Sequence, residues 1–274
     1  MPTATLGDYQ LEIAIDFGPR VIGLRNQAGP EVLARLGPDA RISHPGGVYR
    51  FHGGHRLWAA PEMPEITYAN DDHPCHVDLG DESVRISAEP DAAGMRKEMT
   101  VIVQDQSLIV DHSLTRVAGD GDDMAAWAIT QLPPGGTALL PVEGPDTGPL
   151  PNRGLVLWPY TSLTDERIRY VDRGLELEVS SETPAKFGTG PQRPVLGYLR
   201  DGWLFVKEVV SSTEGQVPDL GAGSQVYVGQ GFCELETLGA LTSGSAALLT
   251  ERWSLHPCDD LEKAWDLLTR GVSR

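Results

Sequence analysis

Short alternating segments, separated by glycine and proline, recur along nearly the whole chain. They cover 9–15, 21–24, 84–87, 96–103, 107–117, 124–131, 155–158, 174–179, 195–199, 203–210, 225–228, 232–238 and 246–255. A period of two, broken by turns at this spacing, predicts an all-β sandwich or barrel of antiparallel sheets. The 31 Gly and 21 Pro are scattered, which suits many short strands better than a helical bundle. Asp201-Gly202, between the apolar flanks Tyr198-Leu199 and Trp203-Leu204-Phe205, predicts a tight hairpin. Only the C-terminus reads as a helix. Asp259 or Asp260 caps it, Leu261, Ala264, Trp265 and Leu268 form an apolar stripe, and Gly271 stops it. The segment 132–153 is rich in Gly and Pro and reads as a long loop. No break in composition divides the 274 residues, so one domain over 1–274 is expected.

The net charge of −17 argues against a nucleic-acid partner, since binding phosphates needs a basic field. Three cysteines, Cys75, Cys233 and Cys258, do not form a secreted disulfide framework. The first residues have neither a basic start nor an apolar core, and no apolar run approaches ~18 residues. A cytoplasmic protein without a membrane span is expected.

Several residues stand out against this background. In 231–239, Glu234 and Glu236 are two apart in a strand-like run. They therefore share a face and sit roughly 6.6–7 Å apart along the chain. Acids beside Phe232, Leu235 and Leu238 are costly to bury unless something charged or polar meets them. A solvated edge strand is the plainer alternative. The stretch 50–62 places His52, His55, Arg56, Trp58 and Glu62 around Gly53-Gly54. Imidazole exchanges protons near neutrality, guanidinium offers a fork of donors, and indole covers an apolar ligand face. A tight turn with a surface histidine and a core tryptophan would look the same. Lys186 and Asp219 stand alone in apolar settings, suited to pairing inside a pocket or to pointing outward. His112 shares a strand face with Leu108 and Val110 and reads as a satisfied core histidine. His73-Pro74-Cys75-His76 looks like metal-ligand chemistry, but no second cluster of zinc-type spacing accompanies it. It reads as a loop, and neither a metal nor a cofactor is expected. No serine-hydrolase elbow or phosphate loop is present, and Gly221-Ala222-Gly223 lacks the third glycine and the βαβ setting of a dinucleotide site.

The segment Gly54-His55-Arg56-Leu57-Trp58-Ala59-Ala60-Pro61-Glu62 resembles a signature of bacterial DUF4380-type proteins. Segments 126–130, 157–160, 186–188, 205–207, 234–239 and 251–255 continue the likeness, over about residues 9–256. That group is similar in turn to the galactose mutarotase-like (aldose 1-epimerase) superfamily. The resemblance implies a β-supersandwich of mostly antiparallel sheets, here with a short C-terminal helix, whose concave sheet binds carbohydrate. It implies that Glu236, in Leu235-Glu236-Thr237-Leu238, is the general base, and that His55 is the nearest candidate imidazole. Arg56, Trp58, Glu62, Lys186, Asp219 and Glu234 complete the candidate substrate-binding set. Where the epimerases carry a His-x-Tyr-Phe segment, this chain has Trp127-Ala128-Ile129-Thr130. Proton donation to the sugar ring oxygen then falls to His55, Lys186, Tyr160 or water.

Three functions fit these residues. The first is a carbohydrate-binding protein with aldose 1-epimerase-like isomerase activity. The second is a sugar-binding or sensing protein without catalysis, and the third is an isomerase or lyase for another polar metabolite. A small-molecule partner is common to all three.

Overall fold

The structure, a computed structural model, describes residues 1–118, 121, 123–180, 183–190, 194–229 and 231–270. Among these, two large sheets and a hairpin account for the strands. One sheet runs, in spatial order, β1 (Thr3–Leu6), β2 (Tyr9–Ile13), β3 (Arg20–Asn26), β6 (His55–Ala60), β11 (Ala125–Leu132), β20 (Phe232–Leu238), β19 (Ser224–Gly229), β16 (Ala185–Thr189) and β13 (Val156–Leu157). The other runs β14 (Ile168–Val171), β15 (Gly174–Glu178), β12 (Thr137–Pro141), β17 (Val195–Arg200), β18 (Trp203–Ser212), β21 (Ala246–Pro257), β10 (Ser107–Arg116), β9 (Met95–Gln104), β8 (Ser83–Ala88) and β7 (Cys75–Leu79). β4 (Arg41–His44) and β5 (Gly47–Arg50) form the separate hairpin. The pairings are antiparallel throughout.

The sheets pack face to face. Leu11, Leu24, Phe187, Val226 and Leu235 from the first meet Val101, Leu108, Leu196, Phe205 and Trp253 from the second in one buried core. Each sheet is also covered on its far side. On the second sheet, α3 (Leu261–Arg270) lays Ala264, Trp265 and Leu268 over Leu139, Val195, Leu204 and Val206. Asp260 caps it, its Oδ1 accepting the Lys263 N–H at 2.9 Å. Gly271 lies outside the described residues. On the first sheet, the β4–β5 hairpin and the single turn α1 (Pro64–Thr67), followed by Tyr68, cover Trp58, Trp127 and Leu238. Both β11 and β20 are therefore buried along their whole length, so β20 is a central strand and not a solvated edge.

The Asp201-Gly202 turn is as expected. Both residues have positive φ, and Arg200 pairs with Trp203. Other expectations are corrected. Thr137–Pro141, inside the expected loop, is strand β12, because Ala138 and Leu140 reach the inter-sheet core between β15 and β17. Cys75 and His76, within the segment 73–76 read as a loop, begin edge strand β7. Pro218–Gly221 is a further short turn, α2, with Asp219 and Leu220 in the left-handed region. No helix among the described residues is long and apolar enough to cross a membrane.

Gly53 and Gly54 bring the chain against its own backbone. Both have positive φ, and a Cβ on Gly54 would lie 2.3 Å from the Val21 carbonyl oxygen. Gly54→Ala is expected to cost roughly 2–4 kcal/mol, from backbone strain plus overpacking. Urea unfolding would show it as a lower midpoint at unchanged slope.

Candidate functional site

Five strands of the first sheet turn alternate residues to its covered outer face. β6 supplies Arg56 and Trp58, β11 supplies Trp127, and β20 supplies Phe232, Glu234 and Glu236. Tyr227 comes from β19 and Lys186 from β16. With Ile42, Phe51, Glu62, Tyr68, Tyr160 and Pro184 as walls, they enclose a cavity of about 340 Å³. That volume lies in the range usual for small-ligand sites, and the mixture of aromatic walls with few charged groups is the usual lining.

Register decides which charges meet. Arg56, Ile129 and Glu236 stand in one row across the sheet, and Gln131, Glu234, Tyr227 and Lys186 in the next. Both ion pairs are diagonal. Arg56 Nη2 donates to Glu234 Oε1 at 2.9 Å, and Gln131 Nε2 donates to the same oxygen at 2.9 Å. Lys186 Nζ donates to Glu236 Oε2 at 2.8 Å, joined there by Trp127 Nε1 at 2.8 Å. Aromatic rings frame both cations. The Arg56 guanidinium lies 4.1 Å from the Trp58 ring centroid and 5.3 Å from that of Phe51. Lys186 Nζ lies 4.8 Å from the Trp127 centroid and 4.6 Å from that of Trp158.

Some polar atoms at the site remain unspent. Glu236 Oε1, Arg56 Nε and Nη1, and Gln131 Oε1 are buried without a partner among the described residues. Such groups are costly unless a water or ligand meets them. Burial pushes the Glu236 carboxyl up to about 7 despite the opposing Lys186, and Glu234 adds to the rise. Burial, with Glu234 and Glu236 nearby, pushes the Tyr227 phenol up to about 12.

The structure thus brings Glu236, Glu234, Arg56, Trp58, Glu62 and Lys186 to one cavity. Glu62 there accepts a hydrogen bond from the Tyr68 hydroxyl. His55 and Asp219 are not among the lining residues. His55 precedes Arg56 in β6, so alternation turns it to the opposite face, where it is fully buried between the sheets. Asp219, in α2, accepts from Gln225 Nε2 at 2.7 Å. Sequence reasoning did not place Trp127, Gln131, Tyr68 or Tyr227. The period-two pattern of 124–131 carried the signal for Trp127 and Gln131, which alternate with the inward Ala128 and Thr130. Gly53-Gly54 serves a close turn, with His52 stacked on Phe17 at 4.0 Å and paired with Asp72. Trp58 lines the cavity.

Behind the cavity floor lies a second buried polar cluster. His112 Nδ1 donates to the Leu249 carbonyl at 2.9 Å, so its Nε2 accepts from His55 Nε2–H at 2.8 Å. His55 Nδ1 then accepts from the Thr130 hydroxyl at 2.8 Å, and Thr130 Oγ1 accepts from Lys207 Nζ at 3.1 Å. His112 is the satisfied core histidine its sequence setting suggests. Burial lowers both imidazoles below their ordinary range, with Lys207 also acting on His55. Among the described residues, His55, His112 and Glu251 are the metal-type group within ligand reach. Their hydrogen bonds already use the imidazole lone pairs, and the Lys207 ammonium lies 3.2 Å from Glu251. This cluster does not fit a cation. His73 and His76 are exposed on and beside edge strand β7.

No family model matches the chain, so the DUF4380 resemblance rests on its motifs alone. No curated protein matches it either. Solved structures do. A galactose mutarotase-like protein from Lactobacillus casei ATCC 334 is 13% identical with a TM-score of 0.58, covering 93% of this chain and 100% of that one. A galactose mutarotase-like protein from Clostridium acetobutylicum is 9% identical at 0.51, covering 93% and 94%. A candidate aldose 1-epimerase from Escherichia coli K12 is 11% identical at 0.51, covering 93% and 98%. The fold is the galactose mutarotase-like sandwich.

Proposed function

We propose that this protein binds a sugar or sugar derivative in the cavity floored by β6, β11, β20, β19 and β16, within one domain spanning 1–274. We also propose that it accelerates the exchange of anomers, with Glu236 as general base. One observation carries the reading. Glu236 has one oxygen held by Trp127 and Lys186, while the other, Oε1, is buried with no partner among the described residues. An anomeric hydroxyl would satisfy that oxygen and deliver its proton to it. A carboxyl pushed up to about 7 is suited to accepting a proton near neutrality. The aromatic walls offer apolar faces for a pyranose ring, and Arg56, Glu234 and Glu62 offer partners for its hydroxyls.

The likeness in fold to galactose mutarotase-like proteins supports the choice of sugar as ligand, although fold alone does not fix a reaction. A second reading, sugar binding without turnover, draws on the lining itself, which includes no imidazole. Both are tested by NMR saturation transfer between anomers, with calorimetric titration, over neutral aldoses and uronic acids. Accelerated exchange for at least one sugar is expected. Binding without acceleration selects the second reading, and absence of binding across the panel rejects both.

A further inference from the structure

We infer that Lys186 is the proton donor to the sugar ring oxygen, acting with Glu236 as one contiguous acid–base pair in place of a separate histidine. The inference rests on the anomeric-exchange reading above.

Lys186 is 4% exposed and makes a single side-chain hydrogen bond among the described residues, to Glu236 Oε2 at 2.8 Å. An ammonium has three donors. Its neighbours on the other sides include the rings of Trp127 and Trp158, which hold the charge without accepting a conventional hydrogen bond. A spare N–H and the unpartnered Glu236 Oε1 therefore belong to two groups in direct contact. The two oxygens that exchange protons in anomer interconversion, the anomeric hydroxyl and the ring oxygen, are bonded to the same carbon. A donor and an acceptor that touch each other can reach both oxygens of such a pair at once.

The step balances. Glu236 Oε1 takes the anomeric hydroxyl proton, and the O–H pair becomes the second bond of the carbonyl. The bond from the anomeric carbon to the ring oxygen breaks, its electron pair goes to that oxygen, and Lys186 supplies the oxygen's proton. The products are the open-chain aldehyde, a neutral carboxylic acid and a neutral amine. After rotation about the bond next to the carbonyl, the same transfers run backward and close the ring to the other anomer. No oxidant or reductant is needed. His55 offers no alternative, because it is buried on the opposite face and bonded to His112 and Thr130.

Two variants separate proton donation from charge. Lys186→Arg keeps the positive charge beside Glu236 but does not give up its proton at accessible pH. Lys186→Ala opens space for an added primary amine. The expected result has three parts. The native protein accelerates exchange. Lys186→Arg binds the same sugar within about threefold but exchanges it about 100-fold more slowly. Methylamine restores part of the Lys186→Ala rate. If Lys186→Arg exchanges within about threefold of the native rate, or methylamine gives no rescue, the assignment of Lys186 is overturned, while a Glu236-dependent rate would leave the exchange reading standing. If the native protein binds sugar without accelerating exchange, both fall together.

Discussion

Glu236→Gln is expected to slow anomeric exchange by about 10²–10⁴-fold while leaving the fold intact, because it removes the proton acceptor but keeps size and shape. The amide can still occupy the hydrogen-bonding position between Trp127 and Lys186, although its one carbonyl oxygen must serve both donors. The native rate should rise between pH 5 and pH 8, with a midpoint near the value of about 7 set by burial, since only the carboxylate accepts a proton. Stability runs the other way. The folded-state value lies above the ordinary 4.5, so this group's contribution is fully present below about pH 4.5 and is lost as pH rises through about 7. The stability of the native protein relative to the Gln variant, from urea midpoints at pH 5 and pH 7.5, should fall by that contribution, since the other titrating groups are common to both. A rate independent of Glu236, or one that falls from pH 5 to pH 8, would remove Glu236 from the role of base.

Alternation along 232–238 was enough to put both glutamates on one face, and that part of the site was legible from residues alone. What they meet was not. The partners of Glu234 and Glu236 lie across the sheet, and each pair is diagonal, so pairing depends on the registers of β6, β11, β20, β19 and β16 together. Two of those strands are disguised. Between Gly53-Gly54 and Pro61, His55–Ala60 reads as part of a turn, and Lys186 between Ala185 and Phe187 reads as a single odd residue. Once 55–60 is a strand, period two sends Arg56 to the cavity and His55 away from it. Recognising 55–60 as a strand would have ruled out His55 as the acid. The partnership of His55 with His112, 57 residues later, arises from the stacking of one sheet on the other, which no local pattern encodes. The same holds for Thr137–Pro141, whose setting is rich in glycine and proline but whose apolar residues fill the core.

Lys207 lies at that stacking interface, and its replacement is expected to have the largest effect on stability. Its Nζ, fully buried on β18, crosses between the sheets to donate to the Ala128 carbonyl at 2.9 Å and the Leu235 carbonyl at 3.1 Å. Those peptides belong to β11 and β20 and adjoin Trp127 and Glu236, which are bonded to each other on the opposite face. The ammonium thus ties together, from beneath, the two strands that carry the indole and the carboxylate of the site. Burial lowers the Lys207 ammonium below its ordinary range, and Glu251 opposes this. Glu251 in turn accepts from the Thr237 hydroxyl and from Trp253 Nε1. Lys207→Met leaves a buried carboxylate without its cation, and the expected cost is about 3–5 kcal/mol. Lys207→Met with Glu251→Gln should recover much of that loss, because the unpaired charge is gone while an amide oxygen remains for a donor. Guanidinium unfolding of the two single variants and the double variant measures the coupling. Near-additive losses would show that Glu251 does not depend on Lys207 for its charge. The double variant should also shift the midpoint of Glu236, followed by carboxyl carbon NMR, since the strands that position it would no longer be tied from below.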